Sequence, residues 1–365
     1  MNILEPTLIV NKLQVIENIS KIRKKAIKSS VRFRPHFKTH QSAEIGNWFK
    51  ELGVNCITVS SVRMAECFKK AGWKDITIAF PVNILEIERI NELAKSVQLN
   101  LLVESVETAK NLVEELKHSV KVWINIDTGY HRDGIEWNKT HKIIQVASLI
   151  HNARNMQLTG ILTHAGHSYK ARTRTEILVI HENTINKMDQ LREKLKLEGY
   201  NDLQISVGDT PTVSIADDFS QVDEIRPGNF VFYDLKQVQI GSCSEEEIAI
   251  RLACPVIAKY DERNEILVDG GAIHLSKDFI VDGSGRTIYG YISQPMDKGF
   301  SKVKDAYVSA ISQEHGTIKA NNKDFFQNAN IGDVVYIIPI HACLTTNLMA
   351  KLKTLSGKEI QATCK

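Results

Sequence analysis

The chain has 365 residues, 43% of them hydrophobic and 24% charged, with a net charge of +3. That is an ordinary globular balance, long enough for one large domain and a smaller one. A charge this small gives no support to nucleic-acid or anionic-membrane binding, and no run approaches the roughly 18 apolar residues of a membrane span.

Residues 1–14 lack a basic stretch followed by an apolar core, so no secretory leader is expected and the protein is placed in the cytoplasm. Beyond them, short β-branched runs alternate with longer stretches of helical periodicity. Run 31–33 precedes a helix near 42–52, 56–59 precedes 62–71, 76–79 precedes 84–95, and 99–103 precedes 106–117. Run 122–126 precedes 140–151, and 158–162 precedes a long helix over about 173–197. Run 203–207 leads to a short turn at 212–216, and 222–225 leads into 230–233. Helices between consecutive strands imply parallel pairing through right-handed crossovers. Eight such units over roughly 230 residues predict a closed (β/α)8 barrel of TIM type, so the fold class is α/β. An open doubly wound sheet would want a glycine-rich turn after its first strand, and Arg34-Pro35-His36-Phe37-Lys38 is not one.

Past about residue 241 helical stretches almost vanish. Segments 248–258, 265–269, 304–311, 316–319 and 334–339 read as strands separated by turn signals such as Asp282-Gly283 and Asn321-Asn322. The expected division is a barrel over 1–240 and a mainly β domain over 241–365. Six cysteines (Cys56, Cys67, Cys243, Cys254, Cys343 and Cys364) show no C-x-x-C pair and are expected to be free, mostly buried thiols.

In such a barrel the active site forms where strands end and loops begin. The strand ends deliver, in order, Lys38, then Ser60 and Ser61, Asn83, Glu104, and the group Asn125, Asp127, Tyr130, His131 and Arg132. The later ends deliver His164, His167 and Tyr169, then Ser206, Gly208, Asp209 and Thr210, and last Arg226, Gly228 and Asn229. Lys38, between a strand end and a helix start and flanked by His36 and His40, is poorly placed for packing and well placed to hold an aldehyde as a Schiff base. The stretch from Ser206 to Thr212 offers hydroxyls and backbone N–H groups at a helix start, where the dipole favours an anion. Arg226-Pro227-Gly228-Asn229 offers a glycine for close backbone approach. Either alone would serve as an ordinary turn or N-cap; after strands seven and eight they fall where barrel enzymes bind phosphate. His341-Ala342-Cys343, after an apolar strand, puts an imidazole and a thiol on one face of an extended segment, the donors Zn²⁺ prefers. A structural histidine and a buried cysteine would show the same spacing. With two protein donors, substrate or water would complete the shell, which suits a catalytic ion.

Together these motifs resemble the D-threonine aldolase and eukaryotic-type D-serine dehydratase family, which has the alanine-racemase-like fold of pyridoxal phosphate (PLP) enzymes. The resemblance runs in order through 34–40, 127–132, 163–169, 206–212, 226–234 and 312–316 to His341 and Cys343, nearly the whole chain. It implies that Lys38 carries PLP as a Schiff base and acts as the base at Cα. It implies too that His164 stacks on the pyridine ring, that Arg132 approaches the phenolic oxygen and that Arg226 faces the ring nitrogen. Ser206, Gly208, Thr210, Gly228 and Asn229 would hold the phosphate, with Asp209 and Tyr169 beside them. His167 and Tyr169 join Lys38 as candidate catalytic groups. His341 and Cys343 would bind a divalent ion, zinc or manganese, that grips the β-hydroxyl of a small D-amino acid.

Such an ion supports two lyase reactions on 3-hydroxy D-amino acids: retro-aldol cleavage of D-threonine to glycine and acetaldehyde, or dehydration of D-serine to pyruvate and ammonia. In the family, dehydratases pair His with Cys and aldolases His with Asp, so Cys343 leans towards a dehydratase. Residues 267–278 lack the tyrosine that alanine racemases place in this region, which disfavours a racemase, although His274 keeps that reading open. A non-catalytic PLP carrier would lack the β domain. The fold family implies a homodimer.

Overall fold

The structure, a computed structural model, describes residues 2–296, 299–349, 351–362 and 364. Two compact units divide the chain. One comprises Ser20–Lys38, Gly46–Gly228 and Cys364–Lys365; the other comprises Met1–Ile19, Thr39–Ile45 and Asn229–Thr363. This division differs from the expected boundary at 240, for a non-local reason. The first strand, β1 (Thr7–Val10), pairs with strands more than two hundred residues away, antiparallel to Ile250–Ala253 and parallel to Leu352–Thr354.

The larger unit holds β2 (Arg32–Phe33), β3 (Ile57–Val59), β4 (Asp75–Pro81), β5 (Gln98–Val103) and β6 (Val120–Asp127). It continues with β7 (Ile135–Glu136), β8 (Met156–Thr163), β9 (Gln204–Val207) and β10 (Glu224–Ile225). Eight of these form one parallel sheet in the order β2-β10-β9-β8-β6-β5-β4-β3, with β7 attached to β6 alone. The sheet curls until the segment after β2 meets β3: Phe37 donates to the Thr58 carbonyl at 2.8 Å and Thr58 donates to Pro35 at 2.9 Å. The eight strand runs read from the sequence are these eight strands. Leu102, Trp123 and Leu162 form one buried apolar cluster, beside buried polar residues such as Arg34, Asn100 and Glu224.

Helices follow the strands because the chain supplies start signals at the right places. The hydroxyls of Ser61, Ser105 and Thr173 accept from the backbone N–H of Met64, Thr108 and Glu176, capping three helices. The long helix Arg174–Leu197 adds an acidic residue in its first turn and lysines in its last, matching the helix dipole.

The smaller unit is built on a nine-stranded sheet. Its strands after β1 are β11 (Ile250–Tyr260), β12 (Glu265–Asp269), β15 (Gly290–Met296), β16 (Gly299–Ile311), β17 (His315–Ala320), β18 (Val334–Pro339), β19 (Lys351–Thr354) and β20 (Glu359–Gln361). A separate hairpin pairs β13 (Ile280–Val281) with β14 (Thr287–Ile288). The order is β12-β17-β16-β15-β18-β11-β1-β19-β20, and β12 also pairs with β11, so six strands close into a ring. Ile3, Ile9 and Ala253 pack together and fasten β1 to that ring.

One expectation is corrected. Cys67 and Cys364 form a disulfide across 297 residues of sequence, a pairing no local spacing could announce. Cys56, Cys243, Cys254 and Cys343 are free thiols. Among the described residues no helix is long and apolar enough to cross a membrane.

Barrel closure leaves no room at Gly160, where an added Cβ would lie 2.0 Å from the Gln204 carbonyl oxygen on β9. Gly160→Ala should therefore destabilise the barrel by about 1–3 kcal/mol, read as a lowered urea midpoint. An unchanged midpoint would mean that β8 and β9 are less closely paired than described.

Candidate active site

Lys38 is placed by its neighbours. Arg34 is 1% exposed and holds the end of β2 through two ion pairs, Nε to Glu224 at 2.6 Å and Nη1 to Asp75 at 2.6 Å. His36 donates its backbone N–H to the Pro227 carbonyl at 2.8 Å, and its Nδ1 accepts the Lys38 N–H at 3.3 Å. Phe37 is fully buried between Phe49, Phe68 and Trp73, with ring centroids 4.9–5.1 Å away. From Phe33 to Ser42 every residue is buried except Lys38, which is exposed. A lysine made the one accessible side chain of a buried run is presented for chemistry.

Around it in the larger unit stand two neutral imidazoles. Burial lowers the pKa of His36 far below its usual range, and the nearby Lys38 charge adds to this. The same two causes bring His164 down to about 3. His164 Nδ1 lies 2.6 Å from the Gly208 carbonyl, so Nδ1 carries the proton and Nε2 does not. Tyr130 meets His164 edge-on at 5.8 Å, and the Arg132 guanidinium lies over Tyr130 at 5.3 Å. Arg132 itself is exposed and bonded through Nε to Asp133 at 3.1 Å. Asp127 fixes this loop by accepting the N–H groups of Gly129, Tyr130 and His131 at 2.8–3.1 Å.

The ends of β9 and β10 meet closely. An added Cβ on Gly208 would lie 2.8 Å from Arg226 Cβ, so glycine is required there. Arg226 is buried and donates from Nε to Ser206 Oγ at 2.6 Å and from Nη2 to the Thr163 carbonyl at 2.7 Å. Burial lowers its pKa to about 10, against the pull of Glu224. Ser206 Oγ in turn donates to Glu224 at 2.7 Å. The Ser206 hydroxyl is thus committed to Glu224 and Arg226 and supports the arginine.

Asp209 also has another task. Its carboxylate caps the helix Thr210–Ile215, accepting Thr212 N–H at 2.9 Å, Thr212 Oγ1–H at 2.8 Å and Ser168 Oγ–H at 2.7 Å. Burial pushes it up to about 6. Thr210 Oγ1 is buried with no hydrogen-bond partner among the described residues, and the Thr210 N–H points to the Tyr169 hydroxyl at 3.4 Å. An orphaned hydroxyl beside a helix start fits a phosphate oxygen. At His167 burial, then Lys187, lowers the pKa, and Asp127, His131 and Lys170 complete its charged surroundings.

The smaller unit carries the imidazole and thiol pair. His341 is the N-cap residue of the helix Ala342–Leu348, and Cys343 lies in its first turn. His341 Nδ1 lies 2.6 Å from Asp278 Oδ2. Burial works against its protonation, but Asp278, Cys343 and Asp234 outweigh it and raise the pKa to about 10. Cys343 Sγ is 3.2 Å from Thr39 Oγ1 and 3.7 Å from Asn229 Nδ2. Asn229 turns its side-chain amide towards this thiol, donating from Nδ2 to Asp234 at 2.6 Å. The buried Asp234 carboxylate also accepts the N–H of Ala342 at 2.8 Å. Among the described residues no three His, Cys, Asp or Glu side chains converge to hold an ion. Asp234, Asp278, Glu224 and Thr39 were not assigned roles from the sequence. Asp234 belongs to the 226–234 motif and Thr39 follows Lys38, but neither position carries a local signal of its task.

An exposed lysine ringed by neutral imidazoles, a buried guanidinium and an orphaned hydroxyl, on a curled parallel sheet joined to a strand unit, define a PLP-binding lyase of the alanine-racemase-like class. Residues 10–236 match the alanine racemase N-terminal domain and residues 249–355 match the putative serine dehydratase domain. The chain is 31% identical to D-serine dehydratase of Dictyostelium discoideum over 385 aligned residues, covering 98% of this chain and 94% of that protein. It is 30% identical to D-threo-3-hydroxyaspartate dehydratase of Delftia sp. strain HT23, covering 93% and 91%. The solved structure of the Delftia enzyme superposes with a TM-score of 0.91 at 28% identity, over 99% of this chain and 98% of that one. D-threonine aldolase from Filomicrobium marinum shares the fold, with a TM-score of 0.82 at 19% identity, over 98% and 95%. The chain belongs to the alanine-racemase-like family, in its D-serine dehydratase branch.

The raised pKa of Asp209 predicts a pH effect. A carboxyl at about 6 when folded and 3.8 when free contributes stability that is full below about pH 4 and lost as pH rises through 6. Asparagine caps as well as aspartate, so Asp209→Asn should keep the helix start and remove this term, about 3 kcal/mol across the window. Urea midpoints from pH 4 to 7 should fall for the native protein relative to the variant; parallel profiles would contradict the assignment.

Proposed function

We propose that the protein dehydrates a 3-hydroxy D-amino acid, D-serine first, to give pyruvate and ammonia. In this reading PLP is held on Lys38 and a divalent ion, zinc or manganese, on His341 and Cys343. The observation that carries dehydration is the donor set, one imidazole and one thiol within a helical turn, the imidazole held at Nδ1 by Asp278. The relatives named as dehydratases support the same reaction, and one solved structure of the Delftia enzyme is a cysteine-to-alanine mutant in the metal-free form.

Bound PLP supplies an electron sink for the charge that develops at Cα. A bound ion supplies Lewis acidity to the β-oxygen, so that hydroxide becomes a competent leaving group. The residues of the chain do the rest. The Lys38 amine takes the proton from Cα. His164, neutral and held at Nδ1, would pack against the cofactor ring without adding charge. Arg226, a buried guanidinium, would keep the ring nitrogen unprotonated. Thr210 Oγ1 and the backbone at Gly208 and Gly228 would hold the phosphate. Cα–H and Cβ–O break, water leaves, and the released enamine hydrolyses to pyruvate and ammonia. Lys38 and Thr39 are consecutive in sequence, as are Gly228 and Asn229, so the groups for the two tasks are tied through the chain.

The same reading takes the protein to act in the cytoplasm as a homodimer. Exposed apolar side chains on and beside the helices Ala272–Leu275 and Ala342–Leu348, namely Ile273, Phe279, Val281, Leu344 and Leu348, support an interface between copies.

Purified protein loaded with PLP should convert D-serine to pyruvate, read by coupled reduction to lactate. Lys38→Ala should abolish the cofactor absorbance band and lower turnover by about 10²–10⁴-fold. Treatment with EDTA should stop turnover, and zinc or manganese should restore it. Turnover indifferent to EDTA would overturn the metal reading, and a protein with no cofactor band would overturn the whole.

A further inference from the structure

We infer that Asp278, which the steps above do not use, is a positioning residue that fixes the His341 imidazole for the metal and so sets metal affinity. The inference rests on the metal reading just proposed. The contact itself is short, 2.6 Å from Asp278 Oδ2 to His341 Nδ1. A carboxylate at Nδ1 holds the proton there when the ring is neutral, leaving the Nε2 lone pair for an ion; it also stops the ring from turning.

An ordinary half-exposed ion pair would form wherever two long side chains met, and would contribute little. This one is built. Ser276, two residues before Asp278, has φ +72°, a left-handed conformation that a residue with a Cβ rarely adopts. Its hydroxyl accepts the Asp278 N–H at 3.2 Å, so the strained residue directs the segment that carries the carboxylate. Just ahead, the helix Ala272–Leu275 is fastened to the helix that His341 caps: Thr345, fully buried, donates Oγ1–H to the Leu275 carbonyl at 3.2 Å. The backbone carrying Asp278 and the backbone carrying His341 and Cys343 are thus held in one piece. Lys236 adds a positive charge near Asp278, Thr39 and Asn229 face Cys343, and the other nearby carboxylate, Asp234, is taken up by Asn229, Gln237 and Ala342. Asp278 is therefore the carboxylate that orders the imidazole.

The test measures metal binding directly. PLP-loaded protein is stripped with chelator, and zinc and manganese affinities are measured by competition with a chromophoric chelator. Asp278→Ala should raise the metal Kd by about 10–100-fold, with the cofactor absorbance and circular dichroism unchanged. Asp278→Asn, which keeps an acceptor for Nδ1–H but loses the charge, should recover part of the affinity; should the alanine variant fail to fold, a weaker shift in the same direction is expected from Asp278→Asn alone. Metal affinities within about twofold of the native protein in the folded variants would overturn the role of Asp278. A native protein that binds neither ion would overturn the metal reading, and this inference with it.

Discussion

The larger unit is organised around one buried carboxylate. Glu224, with no exposed surface, accepts from Arg34 Nε on one oxygen at 2.6 Å and from Ser206 Oγ on the other at 2.7 Å, and Ser206 passes the contact on to Arg226. Burial would raise its pKa, yet Arg34 and Arg226 hold it below the usual range. Removing one member of such a set leaves a buried charge unpaired, at about 3–5 kcal/mol. The consequence is positional. Arg34 sets the path of the chain four residues before Lys38, and Arg226 lies two residues before Gly228, so a single ionised group aligns the strand ends that carry Lys38 and Gly228.

Charge placement separates the histidines by task. At His36 and His164 burial and the Lys38 charge act together, and both rings are neutral. A flat neutral ring beside a cofactor adds packing without competing for the lysine's proton. At His341 burial is opposed by Asp278, Cys343 and Asp234, and the partners win. Neighbouring acidic groups thus make the difference between the neutral rings at His36 and His164 and a ring at His341 that holds its proton more tightly.

Most of the barrel is legible in the sequence because its signals are local. Each strand is a β-branched run, each crossover helix has its own period, and Thr173 with Glu176 marks the start of the longest helix. The strand-end rule then selects Lys38, His164, Thr210 and Arg226 as candidates from the sequence alone. What escapes depends on distant pairing. β1 joins the strand unit through residues near 250 and 352, and β15 runs through Ser293-Gln294-Pro295, a stretch with no local strand signal that β16 pairs. The Ser206 hydroxyl is committed to Glu224 and Arg226, and Asp278 lies 63 residues from the histidine it holds. The disulfide between Cys67 and Cys364 is invisible for the same reason.

In the proposed reading, a divalent ion on His341 and Cys343 favours loss of the β-oxygen over cleavage of Cα–Cβ. D-threonine separates the two outcomes, because both reactions can begin from it. Products from D-threonine and the metal-loaded enzyme, identified by NMR, should be 2-oxobutanoate and ammonia in equal amounts. Glycine and acetaldehyde as the main products would contradict the account.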